Sequence, residues 1–435
     1  MTTRPNVLVI CGEPVGSTMS GLGIRCVELA RALRDVADVR LAAARPSPSS
    51  IEGIPVVTFE PHAPRALKPL IGDADVVIAQ PQWPVVGTWL ERSKAIVIVD
   101  LYTPETLETL EASQGEPLRR RTLLIDATLD RLEDALRIGD RFICASERQR
   151  DFWLGAMVAQ RAFSAAEHDA DPTLRDVIEV VPFGLPDAPP PPCSEKPIRC
   201  RFPEIAPADD VILWNGGLWP WLDAETAVQA VGMLSQRRTG TRLVFMGAAN
   251  GPLSEESSAA ARRAATSLGL LGTVVFFNDA WVPYDQRASW LLEADCALSL
   301  HHDHLESRFA FRTRMLDCLW TGLPIVCSPG DVFADLVTAR SLGQVAAATS
   351  PEAVAASLER VLNAGRSSFA GALGSAADEF RWSQAVRPLA RWIVCPPLPR
   401  ERPRRPVFGR RSRSIAYRAL RGMLARRQRS APGDR

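Results

Sequence analysis

The 435-residue chain is 46% apolar and 23% charged with a formal net charge of +1, a composition that excludes a disordered chain and is long enough for two separate cores. The near-zero charge hides an asymmetry: thirteen arginines lie between Arg400 and Arg435 against Glu401 and Asp434, leaving 38 basic and 48 acidic residues elsewhere. No run approaches the ~20 apolar residues of a spanning helix, and the nine cysteines include no C-x-x-C pair, which argues against a zinc site and for buried thiols in a reducing, cytoplasmic compartment.

The chain passes from Arg4-Pro5 directly into NVLVICG (Asn6 to Gly12), with no pattern of a secretory leader. This run is continuous and β-branched, as expected of a strand covered on both faces. A glycine-punctuated loop, EPVGSTMSGLGIR, follows, and CVELARALRDV then has helical apolar spacing. Strand, glycine loop and helix open a Rossmann-like unit and present backbone N–H groups at a helix start. Gly16, Gly21 and Gly23 do not form G-x-G-x-x-G, so a dinucleotide is not indicated. Two roles stay open for these glycines: a phosphate-facing loop, or a turn needing positive φ.

Further strands are predicted at VRLAAA, VVTF, VVIAQ, AIVIVD, RFICAS and VIEVVPFG, with helices at GTWLERS and TLLIDATLDRLEDALRI between them. Such alternation argues for a parallel sheet covered on both faces. Asp100 ends a strand, at the edge where open α/β sheets bind ligands. Capping the segment from Thr103-Pro104 and catalysis are both open to it. PDAPPPPCSEKP (Pro186 to Pro197) is too rich in proline for a helix interior or central strand and reads as a linker.

A second series begins with VILWNGGLW, then a helix from Ala224 to Gln236, TRLVFMG, a helix from Ser254 to Leu268, TVVFFND, a helix from Gln286 to Ala294, and CALSL. Gly216 and Gly217 repeat the strand–glycine–helix logic, and Trp219 and Trp221 suit stacking on a base or sugar or packing between the halves. The stretch from His301 to Val337 gathers His301, His302, His304, Glu306, Arg308, Arg312, Arg314 and Asp317 between a strand end and a helix, a crowding that suits an anion site. The same arginines can instead pair with Glu306, Asp303 or Asp317 on a solvated face. FRWSQAVRPLARWIV (Phe380 to Val394) reads as one amphipathic helix closing the body.

Several blocks, in order, carry a resemblance: CASERQRDFWLG, DPTLRDVIEVVPFGLP, NGGLWPWLD and ESRFAFRTRMLDCLWTGLPIV. Over residues 5 to 395 the chain resembles a family-4, GT-B-type bacterial glycosyltransferase of group 1. The resemblance implies an α/β fold with two Rossmann-like domains facing across a cleft. Its expected divisions are 1–186 (acceptor side), 187–206 (linker), 207–379 (nucleotide-sugar side), 380–395 (closing helix) and 396–435 (basic tail).

The resemblance further implies a retaining, metal-independent transfer from a nucleotide-diphosphate sugar to a glycan or lipid-linked acceptor, in cell-surface polysaccharide or glycoconjugate assembly. No cofactor is expected. Such families carry two glutamates eight residues apart; here Asp317 holds the second place, Phe309 the first, and Glu306 is the nearest carboxylate upstream. The implied roles are donor contacts for Asp317, Arg308, Arg314, Gly216, Gly217, Trp219, Trp281, Val282 and His304. Catalysis falls to Glu306, Arg312 and Asp100, and Gly21, Gly23 and Arg25 face the phosphates or acceptor from across the cleft. The usual Arg and Lys clamp is missing from GGLWPWLD, which makes Arg312 the first candidate to replace it. The arginine-rich stretch suits an anionic membrane surface on the inner face of the membrane, or a solvated disordered tail, ahead of nucleic acid. A nucleotide-sugar epimerase and a non-enzymatic membrane or nucleic-acid adaptor are the competing readings.

Overall fold

The structure, a computed structural model, describes residues 4–192, 195–248 and 252–396. The expected contact of residues 400–435 with membrane lies outside them. Two sheets organise the chain. The first contains β1 (Asn6–Cys11), β2 (Asp38–Ala44), β3 (Ser50–Ile51), β4 (Ile54–Phe59), β5 (Val76–Ala79), β6 (Ile96–Asp100), β7 (Arg141–Cys144) and β8 (Ile178–Val180), in the order β3-β4-β2-β1-β5-β6-β7-β8. All its pairings are parallel except β3 with β4. The second contains β9 (Asp210–Gly217), β10 (Thr241–Gly247), β11 (Val275–Phe277), β12 (Cys296–Ser299), β13 (Ile325–Cys327) and β14 (Gly343–Val345), in the order β11-β10-β9-β12-β13-β14.

The central strands are apolar throughout because helices cover both faces. Val7 to Cys11 of β1 and Val211 to Trp214 of β9 are buried, each large side chain contributing about 1.5–3 kcal/mol. β1 pairs with β2 on one side and β5 on the other, and β9 pairs with β10 and β12. The chain therefore leaves each central strand to one side and returns on the other. That reversal opens a crevice beyond the carboxyl end of the strand, where open α/β sheets place ligands.

Several sequence expectations shift. The helix after β1 begins at Gly21, so Gly21 and Gly23 sit in its first turn rather than in a loop. The Ser20 hydroxyl caps it by accepting from the amides of Leu22 and Gly23, which offsets the poor helix propensity of the glycines. After β12, a short helix (Leu305–Phe309) and an irregular step precede the helix Arg314–Thr321, which ends at Gly322 with φ 65°. The expected closing helix is two, Trp382–Ala385 and Arg387–Val394. Pro388 cannot supply the amide a continuous helix would need there.

The end of the described chain returns to the first half. The Leu185 amide donates to Phe380 at 2.7 Å, and the Trp382 amide donates to Leu185 at 2.8 Å. Gly184 makes room, since a Cβ there would lie 2.4 Å from the Trp382 ring. The proline-rich stretch is packed from Pro197 onward: Pro197–Arg201 is a short helix, the Glu293 carboxylate accepts from the amides of Ile198 and Arg199, and Phe202 meets Phe276 at 5.2 Å. Among the described residues no helix is long and apolar enough to cross a membrane.

Candidate functional site

Two adjoining cavities lie along the seam between the halves, beyond the ends of β1 and β9. The larger is about 430 Å³ and the smaller about 210 Å³, together within the range of small-molecule sites. Gly21, Trp219, Thr313 and Arg314 line both.

Arg314 is the hinge of this geometry. Its Nη2 donates to the Gly217 carbonyl at 2.8 Å, while its Nη1 is sealed from solvent without a partner. No carboxylate pairs with it among the described residues. Burial, with the Arg312 cation nearby, lowers its pKa to about 9, the mark of a desolvated charge lacking compensation. Gly216 has φ 116°, and a Cβ there would stand 3.3 Å from the Arg314 guanidinium carbon. The glycine thus serves the backbone conformation and the close approach of the arginine together.

Arg312, the first candidate for the clamp from sequence, is engaged elsewhere. It holds Glu306 through two hydrogen bonds, Nη2 to Oε2 at 2.7 Å and Nη1 to Oε1 at 3.2 Å, and reaches Ser307 Oγ at 3.2 Å. Both residues are buried and both line the larger cavity. Arg308 is exposed and lines neither cavity; its carbonyl accepts from Arg148 at 3.2 Å. His304 meets the site only through Ser307 Oγ at 3.2 Å and Glu306 Oε2 at 3.8 Å. His301 is buried behind it, its pKa lowered to about 4 by burial and by Arg312. Among the described residues no group of three His, Cys, Asp or Glu side chains is arranged to hold a metal ion.

In the smaller cavity Asp317 Oδ1 accepts from Arg287 Nε at 2.9 Å, and Arg287 Nη1 donates to the Tyr284 carbonyl at 2.6 Å. The Arg287 guanidinium also lies 3.6 Å from the Tyr284 ring centre. Trp281 and Val282 form the far wall, and Trp281 Nε1 donates to the Ser17 carbonyl across the seam at 3.1 Å. Trp219 stacks on Trp221 with ring centres 5.8 Å apart and planes 17° apart.

The expectations for Asp100 and Arg25 need correcting, because the two are buried against each other. Arg25 Nε donates to Asp100 Oδ2 at 2.6 Å, Nη2 donates to Oδ1 at 3.0 Å, and Nη2 also reaches the Val181 carbonyl at 2.9 Å. Neither lines either of these two cavities. Gly23 is also away from the site; a Cβ there would press on the Pro14 carbonyl at 3.2 Å. The first half instead brings Tyr102, Glu105 and Glu108 to the larger cavity. Sequence reasoning passed over Glu108 and Arg287, whose surroundings read as ordinary helix.

The block CASERQRDFWLG gains a role in holding the halves together. Gln149 Nε2 donates to the carbonyls of Tyr102 and Phe309, both at 2.8 Å. Arg148 donates to the Gly330 carbonyl at 2.8 Å and pairs with Asp335. These bonds fix the Leu305–Phe309 helix, and with it Glu306, against the first half.

Comparison with solved structures places this architecture. WaaG, a glycosyltransferase involved in lipopolysaccharide biosynthesis, superposes with TM-score 0.61 over 89% of this chain and 100% of its own, at 15% identity. HepE from Anabaena, in complex with UDP and glucose, gives 0.64 over 89% and 98% at 14% identity. Trehalose-6-phosphate synthase OtsA gives 0.64 over 91% and 100% at 12% identity. The chain has the GT-B fold. No protein family matches it in a scan of family profiles, and no curated protein matches it. In GT-B terms, β1–β8 form one Rossmann-like body, β9–β14 the other, and both cavities occupy the cleft between them.

Proposed function

We propose that the chain is a glycosyltransferase that moves a sugar from a nucleotide-diphosphate donor to an acceptor hydroxyl. The observation that carries this reading is Arg314: a desolvated guanidinium with no carboxylate partner and a partnerless Nη1, at the junction of two cavities. A diphosphate supplies the missing compensation. The same fold in HepE is seen in complex with UDP-glucose, although fold alone does not carry function.

On this reading the smaller cavity takes the nucleotide. Trp281 and Val282 wall the base, Asp317 accepts from ribose hydroxyls while Arg287 holds it in place, and the Gly216-Gly217 backbone admits the phosphates. As the bond to the sugar breaks, negative charge gathers on the departing diphosphate. Arg314 faces that charge from a fixed position, which removes the need for solvent to reorganise. The Arg312–Glu306 pair stands over the transferred sugar, and the larger cavity holds the acceptor, oriented and shielded from water. A nucleotide-sugar epimerase has no need of that second cavity. Group 1, family-4 membership, retention of configuration, independence from metal, and work in cell-surface glycan assembly complete the proposal. Contact of residues 400–435 with an anionic membrane surface would bring lipid-linked acceptors near the cleft.

A thermal-shift screen of UDP-, GDP- and ADP-sugars tests it, followed by transfer of labelled sugar from whichever donor stabilises the protein. At least one nucleotide sugar is expected to raise the melting temperature of the wild type, with a smaller response in Asp317→Ala. No response to any nucleotide sugar would refute the reading.

A further inference from the structure

The two walls of the larger cavity differ in charge. The first half contributes Glu13, Glu105 and Glu108 to the lining and no arginine, lysine or histidine. Glu105 pairs with Arg131, and Glu13 accepts from the Ser20 hydroxyl. The Glu108 amide donates to the Pro104 carbonyl at 3.1 Å, but its carboxyl has no hydrogen-bond or ion-pair partner among the described residues. Across from it stand Glu306 and Arg312, already joined at 2.7 Å. The remaining cation, Arg314, faces the smaller cavity as well and holds the Gly217 carbonyl.

We propose that this cavity selects an uncharged, hydroxyl-bearing sugar as acceptor, that Glu108 is the residue that reads it, and that phosphorylated or carboxylated sugars are excluded. The proposal rests on the glycosyltransferase reading and adds the acceptor class to it. With Arg314 engaged by the donor diphosphate, an anion entering here would leave water and meet three carboxyl groups of the first half with no further uncommitted cation, so its lost hydration would go unreplaced. A neutral pyranose meets the opposite conditions. The Trp219–Trp221 pair offers a flat apolar platform for the C–H face of the ring. The one unpartnered carboxyl offers a hydroxyl partner.

Withdrawal from water, and then the facing Glu306, push the Glu108 carboxyl up to about 8; Arg312 opposes this, and Glu105 and Glu13 add to it. At neutral pH it therefore keeps its proton and both donates to and accepts from a sugar hydroxyl.

The test uses the full chain with a donor from the nucleotide-sugar screen. Acceptors are the methyl glycosides of glucose, galactose, mannose and N-acetylglucosamine, each beside its 6-phosphate and its uronic acid. Transfer to a neutral glycoside is expected, with kcat/KM about 100-fold above that of its charged counterparts, the order of discrimination that like-charge juxtaposition gives. Glu108→Met, close in length but without a hydrogen-bonding group, is expected to raise the acceptor KM about tenfold through the lost hydrogen bond and to leave the donor KM unchanged. A role confined to folding would not divide the two constants in that way. Three results overturn the proposal while donor stabilisation persists: a charged acceptor matching its neutral counterpart, no transfer to any member, or an unchanged acceptor KM in Glu108→Met. Loss of donor stabilisation in the wild type instead removes the glycosyltransferase reading beneath it.

Discussion

Arg25 and Arg314 are arginines whose guanidinium groups both lie at strand ends, one in each half: Arg25 at Asp100, the last residue of β6, and Arg314 at Gly217, the last residue of β9. Arg25 is buried against Asp100, with its planar fork on both carboxylate oxygens and a third bond to the Val181 carbonyl; its Nη1 lacks a hydrogen bond, but the guanidinium lies 4.7 Å from the Tyr102 ring centre. Burial lowers its pKa, Asp100 outweighs that, and the net shift is upward. Arg314 has burial without the carboxylate, and its pKa falls to about 9. The charge inside the first half is thus neutralised by the protein itself, whereas the one at the seam has no carboxylate partner among the described residues. On the proposed function, that distinction separates an architectural ion pair from a binding residue better than burial or residue type.

The largest expected effect tests the architectural side. Arg25→Ala leaves Asp100 buried without compensation and is expected to cost about 3–5 kcal/mol of stability, measured by urea unfolding. Replacing both partners with apolar residues should recover most of it. If Arg25→Ala unfolds like the wild type, the pair does not hold the first half together.

Next comes Gly216→Ala. Its φ of 116° and the 3.3 Å approach to the Arg314 guanidinium carbon predict about 1–3 kcal/mol of backbone strain and a displaced guanidinium. Titration with UDP should then show at least a tenfold loss of affinity. Unchanged affinity would detach the glycine from the arginine.

The smallest effect concerns Glu108. Its carboxyl is raised to about 8 in the folded protein from an ordinary value of 4.5. The folded state therefore binds more protons than the unfolded state between these values, and stability falls as pH rises through 8. Glu108→Gln removes that loss, so its melting temperature relative to wild type should rise by about 1–3 °C between pH 5.5 and pH 8.5. A pH-independent difference would show that Glu108 is not held in its acid form.

Much of the fold was legible because its strands are buried on both faces. NVLVIC and VILW are continuous apolar runs, and the turns after them carry glycine. The β3–β4 pairing left no periodic signal, since β3 is two residues long. The site divides by sequence distance. Gly216, Arg314, Asp317 and Trp281 stand in short windows at strand ends, where residue type already suggests ligand contact. Arg25 and Asp100 are 75 residues apart, so nothing local revealed that they satisfy each other. Glu108 lies in TLETLE, an ordinary helical surface pattern, and Arg287 begins an ordinary helix. Glu108 belongs to the site because the halves meet there, and Arg287 because it reaches Asp317 from 30 residues away; residue spacing carries no record of either.

The most direct measurement is calorimetric titration of UDP and of uridine into the wild type and Arg314→Ala at pH 7.5. If Arg314 awaits the diphosphate, its loss weakens UDP binding by about 100-fold, the scale of a charge-assisted bidentate contact, and leaves uridine binding as it was. Equal weakening of both ligands would mean that Arg314 only shapes the pocket, and undiminished UDP affinity would contradict the account at its centre.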